Sequence, residues 1–305
     1  MMLRAQMMLR SPCSRVATTC GRMRVTTVAS SLVGDKPPVS ASPVGMAGTL
    51  YVKGGVKAEY EVPRELTTAE VEALPALFAD SAEKAIKAAG FDGVELHAGN
   101  GYLLQSFLAK KTNQRADKYG GSIANRSRLL LEVIDAVAAR VGAGRTSVKL
   151  QPGITFSDLV EPEADVRELL DYLGPELSKR NLAYVCLSSL NGEPYFRLMQ
   201  MPAPNVSFDV FRHFRSIFSG TLMINGGLGI ETGEQYVSEG VADLVSYGGL
   251  FIANANMPAL VAAGVKTGGL NPAGYDPRNW YSKDPAGDAK NYTDWPVQEP
   301  AAAAK

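Results

Sequence analysis

The chain has 305 residues, 46% of them hydrophobic and 20% charged, enough for one large core and within the usual range for a single α/β barrel. Thirty-one basic residues balance thirty-one acidic ones, so no net field draws the protein to nucleic acid or an anionic membrane, and no run of about 18 apolar residues predicts a spanning helix. Cys13, Cys20 and Cys186 are odd in number and lack CxxC spacing, which argues against a disulfide framework or a zinc site and leaves small-molecule chemistry in a reducing compartment as the expectation.

The first acidic residue is Asp35, and before it Arg4, Arg10, Arg15, Arg22 and Arg24 stand among Ser, Thr and Met. This profile sets residues 1–35 apart as an irregular or transit-peptide-like segment, with a mitochondrial location as the alternative to a cytoplasmic one. The repeated MMLR at 1–4 and 7–10 suits a degraded start as well. A barrel domain is expected over residues 36–300. From 36 to 66 the chain is rich in Pro and Gly, with Tyr51, Val52, Val56, Tyr60 and Val62 alternating, which predicts a long loop carrying a short hairpin. Thr67 and Glu70 form a capping-box pattern, and Val71, Leu74, Phe78, Ala82, Ala85 and Ile86 follow at helical spacing until Gly90, predicting a helix over 68–89.

Beyond it, β-rich runs (Gly93 to His97, Ser147 to Leu150, Ala183 to Ser188, Thr221 to Asn225, Ala242 to Tyr247) alternate with helical stretches (Ile123 to Val141, Ala164 to Lys179, Phe208 to Phe218, Glu231 to Glu239, and one near Pro258 to Ala263). Five alternations predict a parallel α/β sheet with crossover helices. No GxGxxG opens a helix after the first of these strands, which weakens the doubly wound alternative. A (β/α)₈ barrel needs eight strands, so the deficit falls at the N-terminus.

His97, Asn100 and Tyr102 lie where the GVEL strand meets its loop, the barrel end at which catalytic side chains gather. A neutral imidazole and a carboxamide can both donate to one carbonyl oxygen as negative charge develops there, and a phenol can supply a proton to carbon. In isolation, His97 reads equally as a satisfied core histidine and Tyr102 as a packing aromatic. Asn225, Gly226 and Gly227 in INGGL, and Gly248 and Gly249 in SYGGL, stand at matching ends of the last two strands, where backbone N–H groups of α/β barrels bind phosphate. Ordinary turns are the competing explanation for Gly-Gly pairs. Lys149 shares a strand face with Ser147 and Gln151 and needs either a carboxylate or an anionic cofactor edge. His213 is expected on a helix surface, and two histidines so far apart indicate no metal site.

The segment GFDGVELHAGNGYLLQSFLAKKTNQRADKYGGSIANRSRLLLEVIDAV, and later INGGLGIETGEQYVSEGVADLVSYGGLFIANANMPALV, closely resemble the signatures of the Old Yellow Enzyme family. The resemblance runs from about Val39 to Pro296. It implies a barrel that binds FMN, takes a hydride from NADPH or NADH, and passes it to the activated C=C of an α,β-unsaturated carbonyl or nitro compound, with quinones as further acceptors. By the same resemblance His97 and Asn100 match the pair that binds the substrate's activating oxygen, and Tyr102 matches the proton donor. Gly226, Gly227 and Gly248 match contacts to the FMN phosphate, and Tyr281 matches an aromatic lining the substrate pocket. Lys149 stands where the family has an arginine at the flavin edge, and Gly249 where it has a phosphate-binding arginine, so a bidentate contact is lost at each. The family has about a hundred residues before this region, with three strands, of which VATTCGR at 16–22 is the candidate remnant of the third. An incomplete barrel exposes unpaired edges, which a homo-oligomer or another partner would cover. Two alternatives stand beside this reading: a non-catalytic relic or interaction fragment of such a barrel, and an aldolase- or isomerase-type barrel acting on a phosphorylated substrate, for which Lys149 is the candidate Schiff-base lysine.

Overall fold

The computed structural model describes residues 16–19, 37–52, 56–153, 160–189, 206–275 and 294–298. Six strands form one parallel sheet: β1 (Val16–Thr19), then, after four short strands described below, β6 (Gly93–Ala98), β7 (Thr146–Leu150), β8 (Tyr184–Ser188), β9 (Leu222–Asn225) and β10 (Leu244–Val245). Their spatial order, β1-β6-β7-β8-β9-β10, follows the order in the chain. A doubly wound sheet reverses direction at a switch point, whereas a singly wound barrel never does. The sheet is therefore an arc of an α/β barrel, with six strands among the described residues against the eight of a full (β/α)₈ ring.

The candidate strand remnant at the N-terminus takes its place in this arc. Val16 to Thr19 pair in register with Gly93 to Leu96, so the count of five strands read from the sequence is corrected to six. The segment from 37 to 66 contributes β2 (Val39–Ser40) and β5 (Arg64–Glu65), which pair parallel, and between them the antiparallel hairpin β3 (Thr49–Val52) and β4 (Val56–Glu59).

Helix α1 (Thr68–Glu83) starts at the predicted capping box: Thr67 Oγ1 accepts from the Glu70 amide at 3.2 Å, and the Thr67 amide donates to Glu70 Oε2 at 2.8 Å. Its buried face is Val71, Leu74, Phe78, Ala79 and Ala82. The last turn widens to π geometry over Lys84–Ala88, so the predicted stretch is helical throughout but changes pitch before Gly90 (φ +71°) releases it. There follow α2 (Leu103–Leu108), α3 (Ile123–Val141), α4 (Glu163–Ser178), α5 (Val210–Ile217), α6 (Ile230–Ser238), the single turn α7 (Gly249–Ile252) and α8 (Met257–Ala262). Helix α2 has no counterpart among the helical stretches read from the sequence, since all six of its residues are buried and no polar face gives it a period. No described helix is long and apolar enough to cross a membrane.

Strand alternation divides the sheet into two faces. Val94, Leu96, Ala98, Val148, Leu150, Val185, Leu187, Leu222 and Ile224 join Leu129, Leu130, Val133, Ile134 and Val137 of α3 in the main core. The opposite face carries a smaller apolar cluster of Tyr184, Cys186 and Met223. Register places His97 opposite Lys149, Lys149 opposite Cys186, and Ser188 opposite Asn225, so the polar residues at the C-terminal strand ends share that second face. All of β8 is buried, as a central strand of a parallel sheet covered on both faces should be.

Candidate active site

The loop leaving β6 brings its three candidate side chains together. Asn100 Nδ2 lies 3.3 Å from His97 Nε2, and the Tyr102 ring meets the His97 ring edge-on with centroids 5.1 Å apart. Burial, with Lys149 on the neighbouring strand as a second cause, pushes the His97 pKa down to about 4. The imidazole is therefore neutral at physiological pH, a donor without a charge. Its Nδ1 is buried and has no hydrogen-bond partner among the described residues. With the imidazole proton on Nδ1, Nε2 accepts from Asn100 Nδ2; with it on Nε2, both nitrogens are donors and, 3.3 Å apart, can converge on a single acceptor oxygen, which is what shared recognition of a carbonyl requires.

This geometry depends on an unusual backbone. Asn100 adopts φ +55° and Gly101 φ +74°, a left-handed pair that asparagine and glycine tolerate better than other residues. Behind the loop lies a belt of buried charge from the RADKYGGSIANR motif. Arg115 grips Asp117 through Nε–Oδ1 at 3.0 Å and a second bond at 2.6 Å, and donates from one NH group to the Ala41 and Leu66 carbonyls at 3.0 and 2.5 Å. The guanidinium beside it holds the Asp117 carboxyl far below the usual range. Arg126 donates to the Leu108 and Gly121 carbonyls and reaches Glu168 at 3.3 Å. This part of the signature is a scaffold: it joins residues 41 and 66 to the segment that carries α2.

At the neighbouring strand ends, Lys149 makes no ion pair among the described residues. Its Nζ donates instead to Asn225 Oδ1 at 3.3 Å, a partner other than the carboxylate or cofactor edge considered from the sequence. Asn225 Oδ1 also accepts from Ser188 Oγ at 3.1 Å, while its Nδ2 donates to the Ser246 carbonyl at 2.9 Å, so one carboxamide connects four strand ends. Gly226 (φ +125°) is pressed against β8: a Cβ there would fall 2.0 Å from the Ser189 carbonyl oxygen. Gly227 follows at φ +69°. Gly248, exposed, is the N-terminal cap of α7, and a Cβ on it would meet no protein atom within 4 Å. Gly249 opens α7, its carbonyl packed beneath Gly274.

These features suit a flavin nucleotide: a cation without a carboxylate, glycine backbone at two adjacent loops, and a neutral buried imidazole with an orphaned nitrogen. Tyr281 lies outside the described residues, as do Cys13 and Cys20. Cys186 is buried, which pushes its thiol up to about 12 and leaves it unreactive. His213 is not a free surface residue: its Nε2 lies 2.7 Å from Asp171 Oδ1 and its ring packs edge-on against Phe208. Gln105 and Gln151, which hydrogen-bond the amides of the Asn100 loop, escaped the sequence reading because two glutamines 46 residues apart form no motif. The alternation that aligned Gln151 with Lys149 was the only signal.

A family model described as NADH:flavin oxidoreductase / NADH oxidase matches residues 29–267. Among curated relatives, 12-oxophytodienoate reductase 1 of Oryza sativa subsp. japonica is 37% identical over 248 residues, 79% of this chain and 59% of the relative. A protein of the same organism provisionally named 12-oxophytodienoate reductase 12 is 39% identical over 244 residues, 78% of this chain and 56% of its own length. The chain thus spans less than two thirds of the length of these two relatives. Among solved structures, the Old Yellow Enzyme homologue from Zymomonas mobilis superposes with a TM-score of 0.77 at 30% identity, covering 91% of this chain and 72% of that one. Morphinone reductase in complex with tetrahydroNAD gives 0.71 at 31% identity, covering 87% and 68%. Sequential strand order, the matched signature and these superpositions agree: the chain belongs to the NADH:flavin oxidoreductase / NADH oxidase family, that of the Old Yellow Enzymes.

Proposed function

We propose that this chain is an FMN-dependent oxidoreductase that moves a hydride from NADH or NADPH to the activated C=C of an α,β-unsaturated carbonyl or a related nitro compound or quinone. FMN, when bound, supplies the two-electron chemistry. The chain's own residues bind, orient and move protons. His97 and Asn100 donate to the substrate's activating oxygen and stabilise the negative charge that develops there. Tyr102 delivers its phenolic proton to the α-carbon of the C=C whose β-carbon takes the hydride. Lys149, steadied by Asn225, offers a positive charge to the cofactor's anionic edge, and the backbone amides of Gly226, Gly227, Gly248 and Gly249 receive its phosphate. Tyr281 is proposed to line the substrate pocket.

The observation that carries this reading is the 3.3 Å approach of the His97 and Asn100 nitrogens, with the Tyr102 ring against the imidazole, at a barrel rim where neutrality of the histidine is enforced by burial. The test is direct. Protein reconstituted with FMN should be yellow, lose its colour to NADPH, and regain it on addition of cyclohexenone. A chain that keeps no flavin at saturating FMN, or whose reduced flavin is indifferent to the enone, is not this enzyme.

A further inference from the structure

Asn100 (φ +55°) and Gly101 (φ +74°) are the central residues of a turn closed by the Tyr102 amide donating to the Gly99 carbonyl at 3.1 Å. Two buried glutamines anchor the backbone of that turn to the rest of the site. Gln151 Oε1 accepts from the Asn100 amide at 3.0 Å, and Gln105 Oε1 accepts from the Gly101 amide at 2.7 Å. Gln105 Nε2 donates in turn to the Gln151 carbonyl at 3.0 Å. The two side chains arrive from separate elements, Gln105 from α2 and Gln151 from the end of β7, and are 3% and 6% exposed. Gln151 also closes the space at position 99, where a Cβ would meet its Cβ at 3.0 Å and His97 Cε1 at 3.3 Å.

We propose that Gln151, braced by Gln105, is the positioning residue that sets Asn100 beside His97. The proposal rests on the reading of His97 and Asn100 as the oxygen-binding pair. The donor and acceptor inventory separates the two glutamines. In this network the Gln151 side chain only accepts, so a carboxylate can replace it. Gln105 both accepts and donates, and a carboxylate there would turn an oxygen toward the Gln151 carbonyl oxygen.

The experiment compares the native chain with Gln151→Leu, Gln151→Glu and Gln105→Glu, reading the exchange rate of the Asn100 backbone amide by NMR with and without FMN, and kcat and KM for cyclohexenone. Gln151→Leu should speed exchange of that amide at least about fivefold, the loss of one buried hydrogen bond. Its kcat/KM should fall about ten- to a hundredfold, carried mainly by KM, because misplaced donors bind the oxygen poorly. Gln151→Glu should stay within about twofold of the native chain on both readouts, and Gln105→Glu should behave like Gln151→Leu. If Gln151→Leu does not fold, Gln151→Asn, one methylene short of the loop, takes its place. Unchanged Asn100 exchange and KM in the leucine or asparagine variant, or a glutamate at 151 as impaired as leucine, would overturn the proposal. If the native chain does not reduce the enone, the catalytic reading falls while the exchange rates still decide whether the brace exists.

Discussion

Around His97 the loop is anchored by side chains arriving from elsewhere, whereas at Gly226 and Gly249, beside the Asn225 carboxamide, backbone packs directly on backbone. The first rim draws on Gln105, Gln151 and, a layer behind, Arg115 and Arg126. The second has Gly226 against the Ser189 carbonyl and Gly274 against that of Gly249. The difference separates two kinds of sensitivity. A rim built from side-chain hydrogen bonds is broken by changing donors and acceptors, and a rim built from close backbone approach is broken by adding volume.

The sharpest way to press this contrast is Arg115→Met, which keeps much of the volume and removes the chemistry. It leaves Asp117 with only the Thr68 hydroxyl and the Tyr119 amide as donors and takes the Arg115 donor from the Ala41 and Leu66 carbonyls, and unfolding by urea should show a loss of about 3 kcal/mol. A lysine at 115 should recover little, because it lacks the planar fork that meets the carboxylate and the carbonyls together. On the other rim, Gly226→Ala should cost about 3 kcal/mol, since its Cβ collides with backbone in a left-handed conformation, while Gly248→Ala stays within about 0.5 kcal/mol. Equal losses for the two glycines in the same denaturation series would erase the contrast.

A third test uses pH. Burial holds the folded-state pKa of His97 near 4 against an ordinary 6.5, so between those values the unfolded chain binds more protons and stability falls with acid. The contribution is complete above about pH 6.5 and should have cost about 2 kcal/mol by pH 5, an effect that His97→Gln removes from the pH profile of the unfolding free energy. The smallest effect belongs to neither rim: Thr67→Ala loses the capping box of α1 and should lower stability by about 1 kcal/mol without altering flavin binding.

Where a segment's sequence had one face in oil and one in water, its structure was readable. Helix α3 falls at the predicted Ile123–Val141 because its apolar stripe is continuous and Ser122 caps it. β10 is Leu244–Val245, shorter than the run Ala242 to Tyr247 read from the sequence, although the Asp243 and Ser246 amides on either side still donate to β9 carbonyls at 2.9 Å. β1 was reached only through the family resemblance, as the candidate remnant at 16–22, because the arginine-rich composition around it carries no strand pattern of its own. The site divides in the same way. His97, Asn100 and Tyr102 were legible because a single short loop holds them. The partners that orient them, and the link from Lys149 to Asn225 across 76 residues, come from strand register that no local pattern encodes.

The consecutive strand order also bears on how the molecule assembles. Leu244 meets Met223, Leu222 meets Val185 and Tyr184 meets Ser147, so each of these contacts closes a short stretch of chain at small entropic cost. Val16 has to find Gly93 across the whole hairpin segment and α1, a much longer closure. The pairings of the C-terminal strands therefore close shorter loops than the one that brings β1 to β6, a difference worth about 0.6 kcal/mol for each doubling of length.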